Sequence, residues 1–581
     1  MSALPATPPR PARWWVDALW LVLLAGWTAG WCLTAAPRVG VTYDEPLYID
    51  ATLQSWRGWT RDDGKQPGFE HEGCAVNGVM PLPIDVLGVP LHVHERRSGK
   101  KLDTPELKLA RLNHARAMTV GWLWLLVFSG WRLGRALGGP WAGRIAAGLL
   151  AADPNFLGHA ALATTDIAAS ATLMAFARAV YAGRGGGWWK RLLLPGLWFG
   201  VAALCKVSAL LYGGIILMTL EVCYRFASGG LSCPPGGNLK AWARKVAGSV
   251  IRSVLNAAVI IAIGIALAVA YFGIPEEGRR PFVSVAGSVP PNEPLKPRYE
   301  KWAADSGRVP HAVCAFAFQW WWNACPRPSF IDGTYYPEGY RYFFPVVLLM
   351  KVPLPVFALA LVALPRVRAV ANPLTLLTLL LLATLLKANL QLGVRLAFPM
   401  VALAYVAVAV AVARGYPRCA PWFGLPAVLA IAAMSAWVWP HGVGYVNQAW
   451  GGYEAAPRLV SDSNLDWGQG MPELTRWWEA NDRPLIWVWY FGTDPAVHRP
   501  PYSRFPLEAQ QPEIKTPEEL RAAIGPRFLA VGHTVVSLHP HGPPAKKMAL
   551  EYLSTRKPYA RTATFTIYDF RDPKTGPPPL D

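Results

Sequence analysis

The sequence predicts a polytopic α-helical membrane protein that carries a soluble α/β domain at its C-terminal end. Three observations lead there. Hydrophobic residues make up 53% of the 581-residue chain and charged residues only 16%, where soluble proteins carry roughly 25% charge. Apolar runs near the ~17–25 residues that cross a bilayer recur through the first 440 positions. The charges between those runs are segregated by sign. A soluble enzyme and a disordered chain are both disfavoured, the latter because disorder needs low hydrophobicity.

Eleven runs are candidate spans: 18–36, 117–131, 143–163, 166–183, 192–205, 208–224, 253–273, 343–364, 373–388, 396–413 and 422–440. The second and fifth are short. No small-residue cleavage site follows the first, so it reads as a retained span and not a cleaved signal. With the N-terminus inside, Arg10, Arg13, Arg132, Arg135, Arg144, Lys190, Arg191, Arg225, Arg244 and Arg366 all fall in inside loops. The acids collect in 37–116, 274–342 and 441–581, which gives an N-in, C-out orientation. Much of the net charge of +19 is therefore a topology signal and not a nucleic-acid footprint.

Residues 1–440 form the multi-span domain, with outer loops 37–116 and 274–342, and 441–581 the extracytoplasmic domain. In the latter, Leu485–Phe491, Phe528–Leu538 and Thr562–Phe570 read as strands. Thr516-Pro517-Glu518-Glu519 reads as a capping box, and Gly525 closes the helix it opens. The 28 Trp and 54 Pro suit aromatic belts and broken helices. Internal repeats are absent. Of the eight cysteines, Cys74, Cys314 and Cys325 fall on the outer side; unpaired thiols are the simpler expectation and a Cys314–Cys325 disulfide the one to test.

The chemistry concentrates at the outer ends of the spans. Asp44 and Glu45 are adjacent carboxylates just after the first span, where mutual repulsion and partial burial suit a general base. A solvated pair of loop acids is the plainer reading. Asp166 opens the fourth span, and an acid at that depth is a functional candidate or a helix cap. Arg116, Lys206 and Arg395 lie at outer helix ends, against the orientation bias. A headgroup-level phosphate would explain them, as would snorkelling for any one alone. Lys351, about 12 Å into the eighth span, must pair, snorkel or face a cavity. His92-Val93-His94, at strand spacing, reads as surface and not as a metal site.

These residues resemble the lipid-carrier-dependent glycosyltransferases of the GT-C type, among them the protein O-mannosyltransferases and the aminoarabinose transferases of lipid A. The likeness rests on Asp44-Glu45, Thr164-Thr165-Asp166 and the multi-span body. Tyr342-Phe343-Phe344-Pro345 leading to Lys351-Val352-Pro353-Leu354-Pro355, and Gly393-Val394-Arg395 with Pro399, look like the bacterial branch. So do Asn447, Gly451-Gly452 and the segment from Asp462 through Ser463, Asn464, Leu465, Asp466, Trp467 and Gly468 to Gln469, the last being the most specific. Many relatives carry His-Pro-Pro-Leu in the first outer loop; here Val79-Met80-Pro81-Leu82-Pro83 lacks the His, so a divalent metal stays open as a cofactor but is not assigned.

The resemblance implies transfer of a sugar from a polyprenyl-phosphate carrier to an acceptor hydroxyl on a protein, glycolipid or glycan. It places the protein in a prokaryotic inner membrane, with membrane lipid as a partner and no nucleic acid. Asp44 would be the base, with Glu45 or Asp166 positioning it. Arg116, Lys206 and Arg395, and less directly Lys351, would hold the carrier phosphate. The alternative is a lipid-linked sugar transporter or flippase, against which the absent repeat and the large tail count.

Overall fold

The computed structural model describes residues 14–60, 68–71, 74–75, 78–229, 239–273, 310–324, 326–505, 507, 514–538 and 544–571. Cys325 lies outside them, and with it the question of a Cys314–Cys325 pair.

Every one of the eleven apolar runs lies on helical structure. Five helices are long and apolar enough to cross a membrane by length and composition: Trp14–Arg38, Ser208–Ala227, Leu239–Phe272, Val394–Gly415 and Ala420–Trp437. A sixth arises if Phe343–Lys351 and Leu354–Ala363 count as one. The expectation of a single continuous span over 343–364 needs correction, since those two helices meet at 101°. Pro353 has no N–H to donate and disfavours helical backbone at the residue before it. Val352 is accordingly extended, with ψ 130. Carbonyls freed by the bend are taken up by one side chain, as Asn447 Nδ2 donates to Leu349 O at 2.7 Å and to Val352 O at 2.9 Å.

The second and third runs form a back-to-back hairpin. Its chain path, Leu112–Ala152, reverses at Gly139, where φ is 83 and ψ −172, a conformation that a side chain strongly disfavours. Small residues let the two arms touch: a Cβ on Gly130 would lie 2.4 Å from Leu150, and one on Gly143 would lie 2.8 Å from the Trp131 carbonyl. Close backbone approach of this kind replaces the hydrophobic effect as a source of helix adhesion in lipid. Against the hairpin packs Phe398–Gly415, an Ala- and Val-rich helix that is almost wholly buried. The third run also breaks earlier than expected. Asp153 ends the hairpin's second arm and caps a short helix, Pro154–Ala160, by accepting from Asn155 N at 2.7 Å and Phe156 N at 3.1 Å.

Two β structures complete the fold. A hairpin of β1 (Ser329–Ile331) and β2 (Thr334–Tyr336) precedes the bent helix pair. In the C-terminal part, β3 (Ile486–Trp489), β4 (Tyr502–Arg504), β5 (Phe528–Gly532), β6 (Ala560–Arg561) and β7 (Phe565–Asp569) form one sheet in the order β4-β3-β5-β7-β6. The β3 strand runs parallel to β4 and β5, while β7 is antiparallel to both of its neighbours. Alternate residues of β5 feed opposite apolar layers: Leu529 and Val531 meet Leu520 and Leu553, while Phe528 and Ala530 meet Leu474 and Val497, as a period of two requires. The strand expected over Phe528–Leu538 stops at Gly532, and His533–Leu538 is helical. The cause is local, because Thr534 is held by Asp466 through both its N–H and its hydroxyl. The capping box at Thr516 and Glu519 is present, and Gly525 ends its helix with φ 64.

Replacing Gly139 by Ala should cost about 1–3 kcal/mol, the usual strain of a side chain in that backbone region. Thermal unfolding of the detergent-solubilised protein will show a clear drop for Gly139→Ala. Gly185→Ala, where a Cβ meets open space, will match the wild type.

Candidate active site

Four charged side chains from distant parts of the chain form one row: Asp44, Arg395, Asp166 and Lys206. Asp44 directly precedes the Glu45–Arg57 helix, yet its carboxylate makes no cap bond. It turns instead to Arg395, whose Nη1 donates to Oδ2 at 3.0 Å. The same Nη1 lies 3.6 Å from Asp166 Oδ2, and Lys206 Nζ pairs with Asp166 Oδ1. Tyr48, one helical turn after Asp44, donates its hydroxyl to Asp44 at 3.4 Å. The interior members are buried, Asp166 at 1% and Arg395 at 8% side-chain exposure, whereas the ends are accessible, Asp44 at 23% and Lys206 at 25%. Inner charges thus neutralise each other, and a carboxylate and an ammonium remain for a ligand to reach. Asp166 does not act as a cap: it is the first residue of its helix and its carboxylate is spent on the row.

Beneath the row lies a second ion pair. Glu45 and Arg116 are 0% and 1% exposed and bond twice, at 2.7 and 2.6 Å, in the bidentate fork that suits guanidinium and carboxylate. Arg116 donates its other N–H groups to the carbonyls of Ala36, Val39 and Gly40 at 2.6–2.7 Å. Glu45 also accepts from Thr42 N at 2.9 Å and Ala163 N at 2.8 Å. Burial by itself would raise this carboxyl, but the Arg116 charge and the four donors together hold it below the usual range.

The segment 462–469 wraps the row from the other side. Ser463 Oγ accepts from Arg395 Nε at 3.1 Å and donates to Leu392 O at 2.5 Å. Trp467 is buried under the Arg395 guanidinium, whose central carbon lies 4.0 Å from the ring centre, a cation–π contact. Asn464 Oδ1 accepts from Val394 N at 2.8 Å. Backbone bonds from Gly40 N to Gln469 O at 2.9 Å and from Tyr43 N to Trp467 O at 2.8 Å clamp the first loop to this segment. A glycine at 393 is required, since a Cβ there would lie 2.4 Å from Ser463 Oγ. Asp466 binds Thr534 N at 3.0 Å and Gly468 N at 3.2 Å, and burial lifts its carboxyl to about 6. Asp462 is lifted likewise to about 6, burial outweighing the pull of Arg395.

Two expected phosphate contacts have other work. Arg116 has all five N–H donors committed within the protein, so none is left for a carrier phosphate. Lys351 is fully buried and donates to Val443 O at 2.7 Å and Asn464 O at 2.6 Å, with no acid paired to it among the described residues. Glu45 serves Arg116 and does not touch Asp44's partner. His92 and His94 sit on the Pro81–Ser98 helix and not on a strand, and His92 is buried against Trp56 with ring centres 4.7 Å apart. No cluster of three or more His, Cys, Asp or Glu able to hold a metal occurs among the described residues. Sequence reasoning missed Tyr48 and Ser463 as neighbours of the row. Ser463 lies inside the quoted segment, whereas Tyr48 had only its one-turn spacing from Asp44 to betray it.

No family model matches the chain, and no curated protein matches it. Among solved structures it is similar to ArnT from Cupriavidus metallidurans bound to undecaprenyl phosphate, at 13% identity and TM-score 0.45 over 98% of this chain and 100% of that one. It is also similar to the apo oligosaccharyltransferase of Archaeoglobus fulgidus, at 11% identity and TM-score 0.46 over 96% of this chain and 75% of that one.

Glu45→Gln leaves Arg116 buried without its counter-charge and should cost about 3–5 kcal/mol, so the variant will be recovered poorly or unfold at much lower temperature. Asp44→Asn, at the accessible end of the row, should change stability by about 1 kcal/mol or less. Asp466 gives a pH signature. Its folded carboxyl keeps a proton that the unfolded chain releases, so its contribution to stability is full at low pH and is lost between about pH 4 and pH 6. Denaturation curves across that interval will therefore show Asp466→Asn gaining on the wild type as pH rises.

Proposed function

We propose that this protein is a membrane glycosyltransferase that moves a sugar from a polyprenyl-phosphate carrier to an acceptor hydroxyl. The observation that carries the reading is the row from Asp44 to Lys206, with one accessible carboxylate and one accessible ammonium at its ends. Such a transfer needs a group to take the acceptor proton and a cation to meet the negative charge left on the carrier. Asp44 is the base. As the hydroxyl oxygen bonds to the anomeric carbon, its proton passes to Asp44 and the bond from that carbon to the phosphate oxygen breaks, the electron pair leaving on the phosphate. Lys206 meets that charge, and Arg395 adds to it from the middle of the row. Attack opposite the phosphate inverts the anomeric centre. Asp166 holds Lys206 and Arg395 in place and takes no proton.

The placement that goes with this chemistry is eleven spans, N-terminus inside, with the site at the external headgroup level. The division falls near residue 440, and the α/β part lies outside a prokaryotic inner membrane. An external site has no cytosolic nucleotide sugar within reach, so a lipid-borne donor is the consistent choice. The carrier's chain lies along the apolar helices.

Turnover by the purified protein with radiolabelled polyprenyl-phosphate sugars and crude envelope acceptors tests the reading. The folded Asp44→Asn variant will lose about 10²-fold or more in kcat, the scale of general-base catalysis. Lys206→Met will lose activity to a similar extent through the leaving phosphate. Equal turnover in wild type and Asp44→Asn removes Asp44 from the mechanism. No transfer from a broad donor panel removes the reaction class.

A further inference from the structure

The helix that Asp166 opens is 18 residues long and ends at Gly183, about 27 Å from the row at 1.5 Å per residue. That end is the inner side in the orientation proposed above. Arg184 follows it and pairs with Glu221, a buried acid in the last two turns of the Ser208–Ala227 helix. Arg225 Nε donates to Glu221 Oε1 at 2.8 Å and to Ser253 Oγ at 3.1 Å, and that hydroxyl donates to the same Oε1 at 2.7 Å. Arg184 also stands within reach of the charges of both Arg191 and Arg225. Arg191 belongs to the turn Trp189–Leu193, which packs against the Leu239–Phe272 helix that carries Ser253.

Charge does not balance here. Glu221 is the only acid between residues 184 and 252, yet three guanidiniums from three segments gather around it, and Lys190 stands next to one of them. The macrodipole favours a cation at a helix C-terminal end, and inside loops are rich in cations. Both effects explain positive residues at this depth, and neither explains bringing like charges together. Lys190 and Arg191 make no side-chain hydrogen bond or ion pair among the described residues, and Arg225 spends only its Nε in hydrogen bonds. These groups can be reached: Lys190 is exposed, Arg191 half-buried and the Arg225 side chain 15% exposed.

The surface around them is apolar. Trp188, Trp189, Val222 and Phe226 are exposed, as are Val250 and Val254 on the neighbouring helix. Indole rings of this kind mark the boundary between hydrocarbon and headgroups. An anion that fits must bring an apolar part of its own, which a free phosphate or a nucleic acid does not. A phospholipid with a net negative headgroup does. Its phosphate oxygens accept from the open N–H groups of Arg225, Arg191 and Lys190, and its acyl chains lie along the exposed valines. Basic pockets between spanning helices on the inner side suit such headgroups.

We propose that this cluster is a binding site for an anionic phospholipid of the inner leaflet, with Arg225, Arg191 and Lys190 on its phosphate. The site takes from the proposed function only the orientation and plays no part in the transfer of a sugar.

Native mass spectrometry tests it on the full-length protein in detergent, stripped of lipid and titrated with phosphatidylglycerol or with phosphatidylcholine of the same chains. The wild type will hold phosphatidylglycerol at least tenfold more tightly than phosphatidylcholine. The double variant Lys190→Gln/Arg191→Gln, which touches no internal bond, will lose about tenfold or more of that affinity, the scale of one charge-assisted hydrogen bond. Arg96→Gln/Arg97→Gln, which removes the same charge from two exposed residues of another segment, will bind like the wild type. Thermal unfolding checks that each variant is folded. The proposal is overturned if the wild type holds both lipids alike, or if the folded Lys190/Arg191 variant holds phosphatidylglycerol as the wild type does. It is overturned equally if inorganic phosphate or a short RNA binds where phosphatidylglycerol does not. Lipid retention without turnover would remove the transfer reaction and leave this site standing.

Discussion

Glu45 and Arg116 are taken wholly out of water at the point where the first helix ends, the second begins, the hairpin's first arm starts and the 162–165 turn arrives. Desolvating two charges costs several kcal/mol per ion, and their attraction offsets that only when every remaining lone pair and N–H is matched. Here they are matched: five donors on one side, and two backbone amides besides the fork on the other. The result is a joint that tolerates no slack. Asp44 is the residue before Glu45, and Asp166 lies three after Ala163, so the joint anchors the backbone close to both acids.

The row above the joint is built by a different logic. Its charges alternate, so each inner member faces opposite charge on both sides, whereas each accessible end has a single charged neighbour in the row. Arg395 is the hub. It meets Asp44 and Asp166 through one nitrogen and Ser463 through another, and its central carbon lies over the Trp467 ring. A lysine could not make these contacts together, because its single ammonium nitrogen cannot stand where both Nε and Nη1 do.

Most of the helical architecture is legible in the sequence because apolar length and charge sign are one-dimensional properties. The eleven runs, the capping box and the strands around 486, 528 and 565 follow from them. Where prolines interrupt, legibility fails: Val352-Pro353 and Asp153-Pro154 both lie inside runs that hydropathy alone treats as continuous. The site was half visible. Asp44, Asp166, Lys206 and Arg395 stand out as ionisable groups in apolar surroundings, and they do converge. Arg116 and Lys351 stand out for the same reason, yet Lys351 is satisfied by carbonyls, and Arg116 by carbonyls together with Glu45. Backbone carbonyls have no letter in the sequence, so no reading of residue types separates a cation that waits for a ligand from one already bound to the main chain. The quoted segment from Asp462 to Gln469 was recognisable without being interpretable, since its work is done through Gly40, Tyr43, Val394 and Thr534, which lie far off in the chain.

That segment has a consequence for how the protein can be taken apart. Asp466 holds the sheet side through Thr534, while Trp467 and Gln469 hold the first loop and Ser463 and Asn464 hold the start of a central helix. Tyr43 of the loop also stacks on Phe491, just past β3, at 4.5 Å. The α/β part and the helical body are thus not beads on a string. They share a seam of hydrogen bonds eight residues long, and exchanging one half for that of another protein would cut the seam at every stitch.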